Sequence, residues 1–574
     1  MNKTEKIISL ILGCILAWYI FSQADKNKKA AQEAAKAVEV VQKPVQKEVQ
    51  KDAPAQSAVA KTAQKSLPKV PEKVVSLEND ELKIDLTTWG GAVKKASLKK
   101  YAKGVGKLSE DNPPVEFDFS SSMLGVLSTD GKPLTEEAYE VDTISSNIVV
   151  FKNSVLTRKV TLFDGYRLRY EDEYNASIST PVSVSLGLMR MGDSKNDLLS
   201  VDSWAIDGKE RVIHHGEGDS PLETYLVAGL SGGCGGSKNP AGMPELTKVP
   251  VHGRQKWIAV KNRFFVTALC PTEGNFSDGF DASITRDLRA NEYKLSSVAV
   301  EARFAPSKNR TMDFYVGPKK QALLWELGMK DVMEFGMWRW ICYPLVAILN
   351  FFHSIVPSFG MAIIFLTILV RLIFWPLTHK STVGMRKMQE IQPKMKELQA
   401  KFKDNPQRLQ QETWALYKQE NVNPMSSCLP MLAQIPVFIA LFNVLRSAVE
   451  LRYAPFLWIS DLSEPEALFA SWFPFGGLNI LPVLMAVTTA LQSAFSPSTG
   501  DKNQQKMMMV FMPIMMLVMF YSFPSALSLY WFLSNIFSIV QMWIIRRQTA
   551  TQRSEVIIPE VIDPPSTRQM RRHG

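Results

Sequence analysis

At 574 residues the chain is too long for one compact domain and has room for roughly three or four. Its 46% apolar fraction looks ordinary but averages unlike parts: residues 22–88 hold no aromatic side chain, whereas Met507–Tyr521 is apolar throughout, a division that excludes a simple soluble enzyme and a wholly disordered chain alike. Five cysteines exclude a disulfide-dense secreted scaffold, and the +10 net charge is spread beside apolar stretches, which points to membrane topology rather than to nucleic acid.

The first apolar run is Ile7–Phe21, behind Lys3 and Lys6. It reads as a transmembrane anchor over 1–24, although Ser22-Gln23-Ala24 also fits a signal-peptidase site. Residues 25–73 are mostly Ala, Lys, Gln, Glu, Val and Pro, without glycine, a composition that cannot bury a core and reads as a disordered periplasmic tether. From Val74 the pattern changes to short alternating runs: Leu82/Ile84/Leu86, Val115/Phe117/Phe119 and Val182/Val184/Leu186. Val160 and Leu162 alternate up to Phe163-Asp164-Gly165, and Tyr166/Leu168/Tyr170 alternate after it, which predicts a hairpin. Further strands are expected at Phe264–Leu269, Val298–Phe304 and Met312–Val316. Together these predict a large antiparallel β-sandwich over 74–320.

Within that domain Gly229-Leu230-Ser231-Gly232-Gly233 matches G-x-S-x-G formally. The glycines that follow cannot begin the helix a nucleophile elbow requires, so the segment reads as a loop. His214 and His215 read as a surface pair, because no carboxylate or cysteine stands at ligand spacing. Cys234 and Cys270 lie on the same, oxidising side and are candidates to pair. No phosphate-cradling or zinc-hydrolase motif occurs anywhere in the sequence, so no cofactor, metal or ATP hydrolysis is expected.

Residues 321–358, with Trp325, Trp338 and Trp340 among mixed charges, suit an amphipathic interfacial helix and a lead-in to the membrane. Five apolar stretches follow, near the roughly 17–25 residues a span needs. They set the second span at 359–377, the third at 424–447, the fourth at 479–495, the fifth at 507–523 and the sixth at 526–545. Between Thr378 and Asn423 there are nine Lys/Arg against five Asp/Glu; between Ala448 and Leu478, one against four; after Ile545, six Arg against three acids. By the positive-inside rule, 378–423, 496–506 and the basic tail 546–574 are cytoplasmic and the loop 448–478 is periplasmic. The 378–423 segment reads as a basic helical hairpin, kinked at Pro393 and turned at Asn405-Pro406.

Arg371 is the only charged residue between Phe359 and Leu377, and an intramembrane charge is a functional hypothesis by default. It lies roughly 9 Å of helix rise from the cytoplasmic end, so snorkelling to the headgroups is the competing reading. Thr367 is one turn away on the same face. Gln434 stands between Pro430 and Pro436, and the last span carries Ser528, Tyr530, Ser534, Asn535, Ser538 and Gln541. These residues either line a water-accessible hollow or simply hydrogen-bond between helices. None of the five C-terminal spans contains Asp or Glu, which weakens the alternative of a small-solute transporter or channel with an extracytoplasmic sensing domain. A β-domain scaffold with anchoring helices is a third reading. Met508, Met512, Met515 and Met519 form a stripe at helical spacing, suited either to varied apolar partners or to lipid.

Phe314-Tyr315-Val316-Gly317-Pro318-Lys319, Val370-Arg371 with Trp375-Pro376-Leu377-Thr378, Gln392-Pro393-Lys394, Ala415-Leu416-Tyr417-Lys418, Asn423-Pro424, Ser427-Cys428-Leu429-Pro430, Phe511-Met512-Pro513 and Phe523-Pro524-Ser525 occur in this order. The chain thereby resembles the YidC membrane-protein insertase family of Gram-negative bacteria (YidC/Oxa/Alb) over essentially its whole length. The resemblance implies a polytopic α-helical inner-membrane protein with a five-helix core, both termini cytoplasmic and a periplasmic β-supersandwich. It implies no enzyme activity but insertion and chaperoning of nascent inner-membrane proteins, alone or with the Sec translocon (SecYEG, SecDF), through a hydrophilic groove. In the family's terms Arg371 is the groove's positive residue, Thr367 and Gln434 are polar neighbours, and Tyr530-Trp531 is an aromatic pair. Met431, Met508, Met512, Met515 and Met519 would contact the substrate. Ribosomes and targeting factors would meet the basic hairpin and tail, with membrane lipid as a further partner and no nucleic-acid substrate.

Overall fold

The computed structural model describes residues 71–556 apart from 107, 130–131, 135–138, 176–179, 191–198, 207–210, 216–245, 271–276, 287–294, 334, 421, 423–428, 470–476 and 496–501. The first span, the tether to residue 70, Gly229–Gly233, Cys234, Asn423-Pro424, Ser427-Cys428 and the tail beyond 556 lie outside the described residues, as do the side chains of His214, His215, Met431 and Met508. Two compact units partition the chain. One joins residues 1–65 to 500–507, of which only the start of one helix is described; the other comprises 66–499 and 508–574 and carries both β-sheets and nearly all of the helical part.

The first part of this larger unit is two antiparallel sheets face to face. One runs in the order Val74–Glu78, Leu82–Thr87, Ala92–Ala102, Leu124–Thr129, Val182–Arg190, Leu295–Phe304, Phe280–Arg286 and Leu246–Val251. The other runs Arg211–His215, Ser200–Ala205, Gln255–Lys261, Phe265–Cys270, Asn309–Pro318, Arg167–Tyr174, Leu156–Leu162, Ile148–Lys152 and Glu140–Ile144. The alternation decides which face is buried: Leu82, Ile84 and Leu86 point inward while Lys83 is exposed, and Val182, Val184 and Leu186 are buried likewise. The predicted hairpin closes with Leu162 opposite Leu168, and Gly165 supplies the positive φ of its turn.

One buried polar cluster interrupts the apolar core. Arg158 is fully buried and grips both oxygens of Asp172, at 2.7 and 2.8 Å, while its remaining amino group donates to the carbonyls of Gly90 and Gly125. The cation is kept by geometry that satisfies both partners, the condition under which a buried ion pair is tolerated. Cys270 is buried and free, and burial raises its thiol pKa.

The segment 321–358 differs from the single surface helix its composition suggests. It forms α1 (Gln321–Glu326), two short 3-10 turns and α2 (Arg339–Ile355). Gly328 and Gly336, both at positive φ, break the helix, because left-handed backbone cannot continue a right-handed one. The remaining helices are α3 (Phe359–Glu390), α4 (Gln392–Lys401), α5 (Pro406–Gln419), α6 (Leu429–Ser447), α7 (Ile480–Phe495), α8 (Lys502–Phe520) and α9 (Ser525–Val556). α3 runs on from the apolar segment into the basic one; Pro393 does not kink a helix but stands in the first turn of α4, after a break at Ile391. Asn405 caps α5 by accepting from the Arg408 amide, as the Asn405-Pro406 pair predicts, and Lys394 pairs with Glu420 across the hairpin.

The sandwich meets the helical part through the segment after α6. Arg263 donates to the Arg446 carbonyl at 2.7 Å, to Glu464 and to the Ser463 carbonyl. Arg452 reaches back to the Ala102 and Lys103 carbonyls. Beside this junction burial raises the pKa of Glu450 above its ordinary 4.5, partly offset by Lys320. A carboxyl whose folded pKa is raised destabilises the fold once it must ionise, and the penalty is absent below the unfolded pKa. Glu450→Gln is therefore expected to raise the melting temperature at pH 7, with the gain fading as the pH falls toward the ordinary carboxyl range; a pH-independent change would assign the effect to packing.

Candidate functional site

Among the described residues two helices, Phe359–Glu390 and Ser525–Arg547, are long and apolar enough to cross a membrane, and Ala433–Ser447, Ile480–Phe495 and Met509–Phe520 are shorter apolar helices. At 32 residues α3 extends about 48 Å, more than the roughly 30 Å hydrocarbon layer, so its basic end projects beyond it. Leu372 and Ile373 are exposed on α3, as are Ile435 on α6, Val510, Phe511, Ile514 and Val518 on α8, and Val540 and Trp543 on α9. These outward apolar surfaces need a nonpolar solvent.

Facing inward, Arg371 is half-buried and lines a cavity of about 10 Å³, the room one water requires, with Val370, Phe374, Thr378, Gln434 and Val437. Tyr530, almost fully buried on α9, lies within electrostatic reach of Arg371. Gln434 and Ser534 lie within hydrogen-bonding reach of its hydroxyl, but neither closes a hydrogen bond of good geometry with it. Arg371 Nε, Ser528 Oγ and Ser534 Oγ are likewise buried without a partner. Buried polar atoms are paired almost everywhere in proteins, so Arg371 Nε and the Tyr530 and Ser534 hydroxyls, on two adjoining helices, mark a place that water or a polar guest must satisfy; Ser528, about 200° round α9 from Tyr530, lies on another face.

The other polar residues of α9 divide differently. Asn535 donates to Thr488 and Thr489 of α7, at 3.1 and 2.9 Å, and Gln541 donates to the Trp375 carbonyl of α3. They tie helices together. Thr367 departs from its expected place: it is fully buried, donates to the Ile363 carbonyl one turn back and does not line the cavity. Thr378, about three turns further along α3, lines it instead. Equal angular position does not ensure equal environment when the neighbouring helices diverge.

Tyr530 and Trp531 do not form one aromatic site, since successive helical residues point about 100° apart. Trp531 packs edge-on against Phe438 of α6 at 5.0 Å and at a tilt against Phe520 of α8 at 5.3 Å, in the seam between those helices. The methionine stripe also splits. Met512 and Met519 pack partly buried against the core, Met516 is buried, and Met515 stands exposed beside Phe511, Ile514 and Val518. A further contact had no sequence signal beyond a glycine: Phe456 lies so close to Gly360, in the first turn of α3, that an added Cβ would come within 2.1 Å of its ring.

Among the described residues no cluster of three or more metal-ligating side chains occurs. A family model described as "60Kd inner membrane protein" matches residues 351–552, and one described as "YidC periplasmic domain" matches 237–348. A membrane protein insertase YidC of Chlorobaculum tepidum is 30% identical over 571 residues, covering 94% of each chain. That of Syntrophobacter fumaroxidans is 41% identical over 300 residues, covering 51% of this chain and 53% of its own. A solved crystal structure of an active YidC insertase covers 82% of this chain and 93% of its own at 20% identity, with a TM-score of 0.33. Full-length kinship at this level, with a helical inner-membrane part and a β-sheet periplasmic domain each matching its own family model, places the chain in the YidC membrane protein insertase family, whose members insert proteins without catalytic chemistry.

Proposed function

We propose that the chain inserts nascent inner-membrane proteins by drawing a short polar tail in beside the polar groups that α3, α6 and α9 bring together, where the one-water hollow must widen to admit it. The observation that carries this reading is the meeting of Arg371 with Tyr530, Ser534 and Gln434, where the Arg371 Nε and the two hydroxyls are buried and unpaired. A tail entering here exchanges bulk water for these groups instead of for hydrocarbon, and Arg371 attracts acidic residues in it. Some twenty apolar residues at about −0.5 kcal/mol each supply roughly 10 kcal/mol, enough to carry a few charges costing about 3 kcal/mol each. No nucleotide is needed. The entering helix then leaves along the seam of α6 and α8, where Trp531, Met512 and Met515 meet it, and passes into lipid.

The charge alternation supports six spans with both termini cytoplasmic and the β-sandwich periplasmic. The basic charge of the hairpin α4–α5 and of the tail suits ribosomes and targeting factors, and the proposed role includes cooperation with a Sec translocon. The hollow is tested with Cys14, Cys234 and Cys428 replaced by serine. Ser534→Cys is expected to react with a charged, impermeant maleimide added from the cytoplasmic side, whereas Val487→Cys, on the outward face of α7, stays unmodified. Protection of Ser534→Cys from both sides would mean a dry, packed interior. Photocrosslinks from Gln434 and Met512 to a stalled nascent chain are expected in the same preparation.

A further inference from the structure

The segment between α6 and α7 contains an unusual turn. Phe456 and Ile459 exchange both backbone hydrogen bonds at 2.9 Å, leaving Leu457 and Trp458 as a two-residue tip. Such turns need positive φ and normally carry Asn or Gly. Here Leu457 takes φ 54° and is 75% exposed, with Trp458 exposed beside it. Strained backbone presenting two large apolar side chains outward is unfavourable in water.

Two contacts fix how deep this tip sits. Phe456 rests on Gly360 in the first turn of α3. The Trp458 indole N–H donates to Glu466, whose carboxylate also accepts from the Ile480 and Leu481 amides at the start of α7. The tip is thus tied to the first turns of two membrane-crossing helices, at the level where each enters the bilayer. Asp461 and Glu466 in this segment are occupied by backbone and indole donors, no lysine is present, and its one base, Arg452, is engaged with the Ala102 and Lys103 carbonyls rather than free to seek anionic headgroups.

The geometry points to a lipid-inserting tip: Leu457 and Trp458 enter the headgroup–acyl boundary of the outer leaflet, in contact with acyl chains and without preference for anionic lipid. An indole anchored at one end and bare at the other suits that boundary. This rests on α7 being a span, so the test includes a marker for that reading.

In full-length protein with Cys14, Cys234 and Cys428 changed to serine, an environment-sensitive fluorophore is placed at Leu457→Cys, Ser460→Cys or Val487→Cys and reconstituted in phosphatidylcholine liposomes. Cys270 and Cys342 are buried. At position 457 the label should be quenched most by a nitroxide near the headgroup end of the acyl chain, and should be about fivefold less accessible to aqueous iodide than at 460. Added anionic lipid should change neither. The label at 487 should respond to nitroxides deep in the chain. If 487 is quenched deep while 457 is open to iodide and untouched by lipid nitroxides, the tip faces water and the inference is overturned. Should 487 also be open to iodide, the span reading itself fails. Quenching at 457 that disappears on diluting the protein in lipid would assign the tip to contact between copies and would equally overturn it.

Discussion

Arg371→Ala should slow insertion of a single-span client bearing an acidic tail by about 30-fold, and Arg371→Lys should retain most of the rate. That factor corresponds to one charge pair about 8 Å apart at an effective dielectric near 20, worth roughly 2 kcal/mol. Arg371 has no anionic partner among the described residues, and its Nε lacks any hydrogen-bond acceptor, so its field is available to an entering carboxylate. Proteoliposomes with protease protection as readout can compare tails of zero and two negative charges. Only the acidic tail should feel the alanine substitution. If both tails insert into the alanine variant at the parental rate, Arg371 has no part in the mechanism and serves at most as a snorkelling anchor.

The second large effect is on stability. Arg158→Met should destabilise the β-sandwich by about 3–5 kcal/mol, because Asp172 is left buried without its cation and two carbonyls lose their donor. For a domain of this size that lowers the melting temperature by about 10 °C. The double variant Arg158→Met/Asp172→Leu should recover much of the loss, since removing both charges leaves no unpaired ion. Thermal unfolding of the three proteins separates the outcomes: an unaltered single variant would show that water reaches the pair and solvates Asp172.

Much of the architecture follows from local pattern. The period-two runs set which residues of each strand face the core, and Leu82, Ile84, Val182 and Val184 are buried accordingly. Asn405-Pro406 marks a helix start because its signals, a capping side chain and a fixed φ, act within one turn. Arg371 stood out because a lone charge in an apolar run is conspicuous without any knowledge of its neighbours.

What the sequence by itself determined is therefore the division into a β-sheet domain and apolar helices, and it singled out Arg371 and Gln434, which line one small cavity. Tertiary structure alone decided that Thr367 commits its hydroxyl to its own helix while Thr378 lines the hollow, and that Tyr530 turns toward Arg371 while Trp531 wedges between α6 and α8. It also decided that Met515 is exposed and Met516 buried, and that Phe456 rests on Gly360. The reason is physical. Hydropathy and periodicity are properties of a short stretch of chain, whereas the fate of a polar or aromatic side chain depends on which distant helix comes to lie against it.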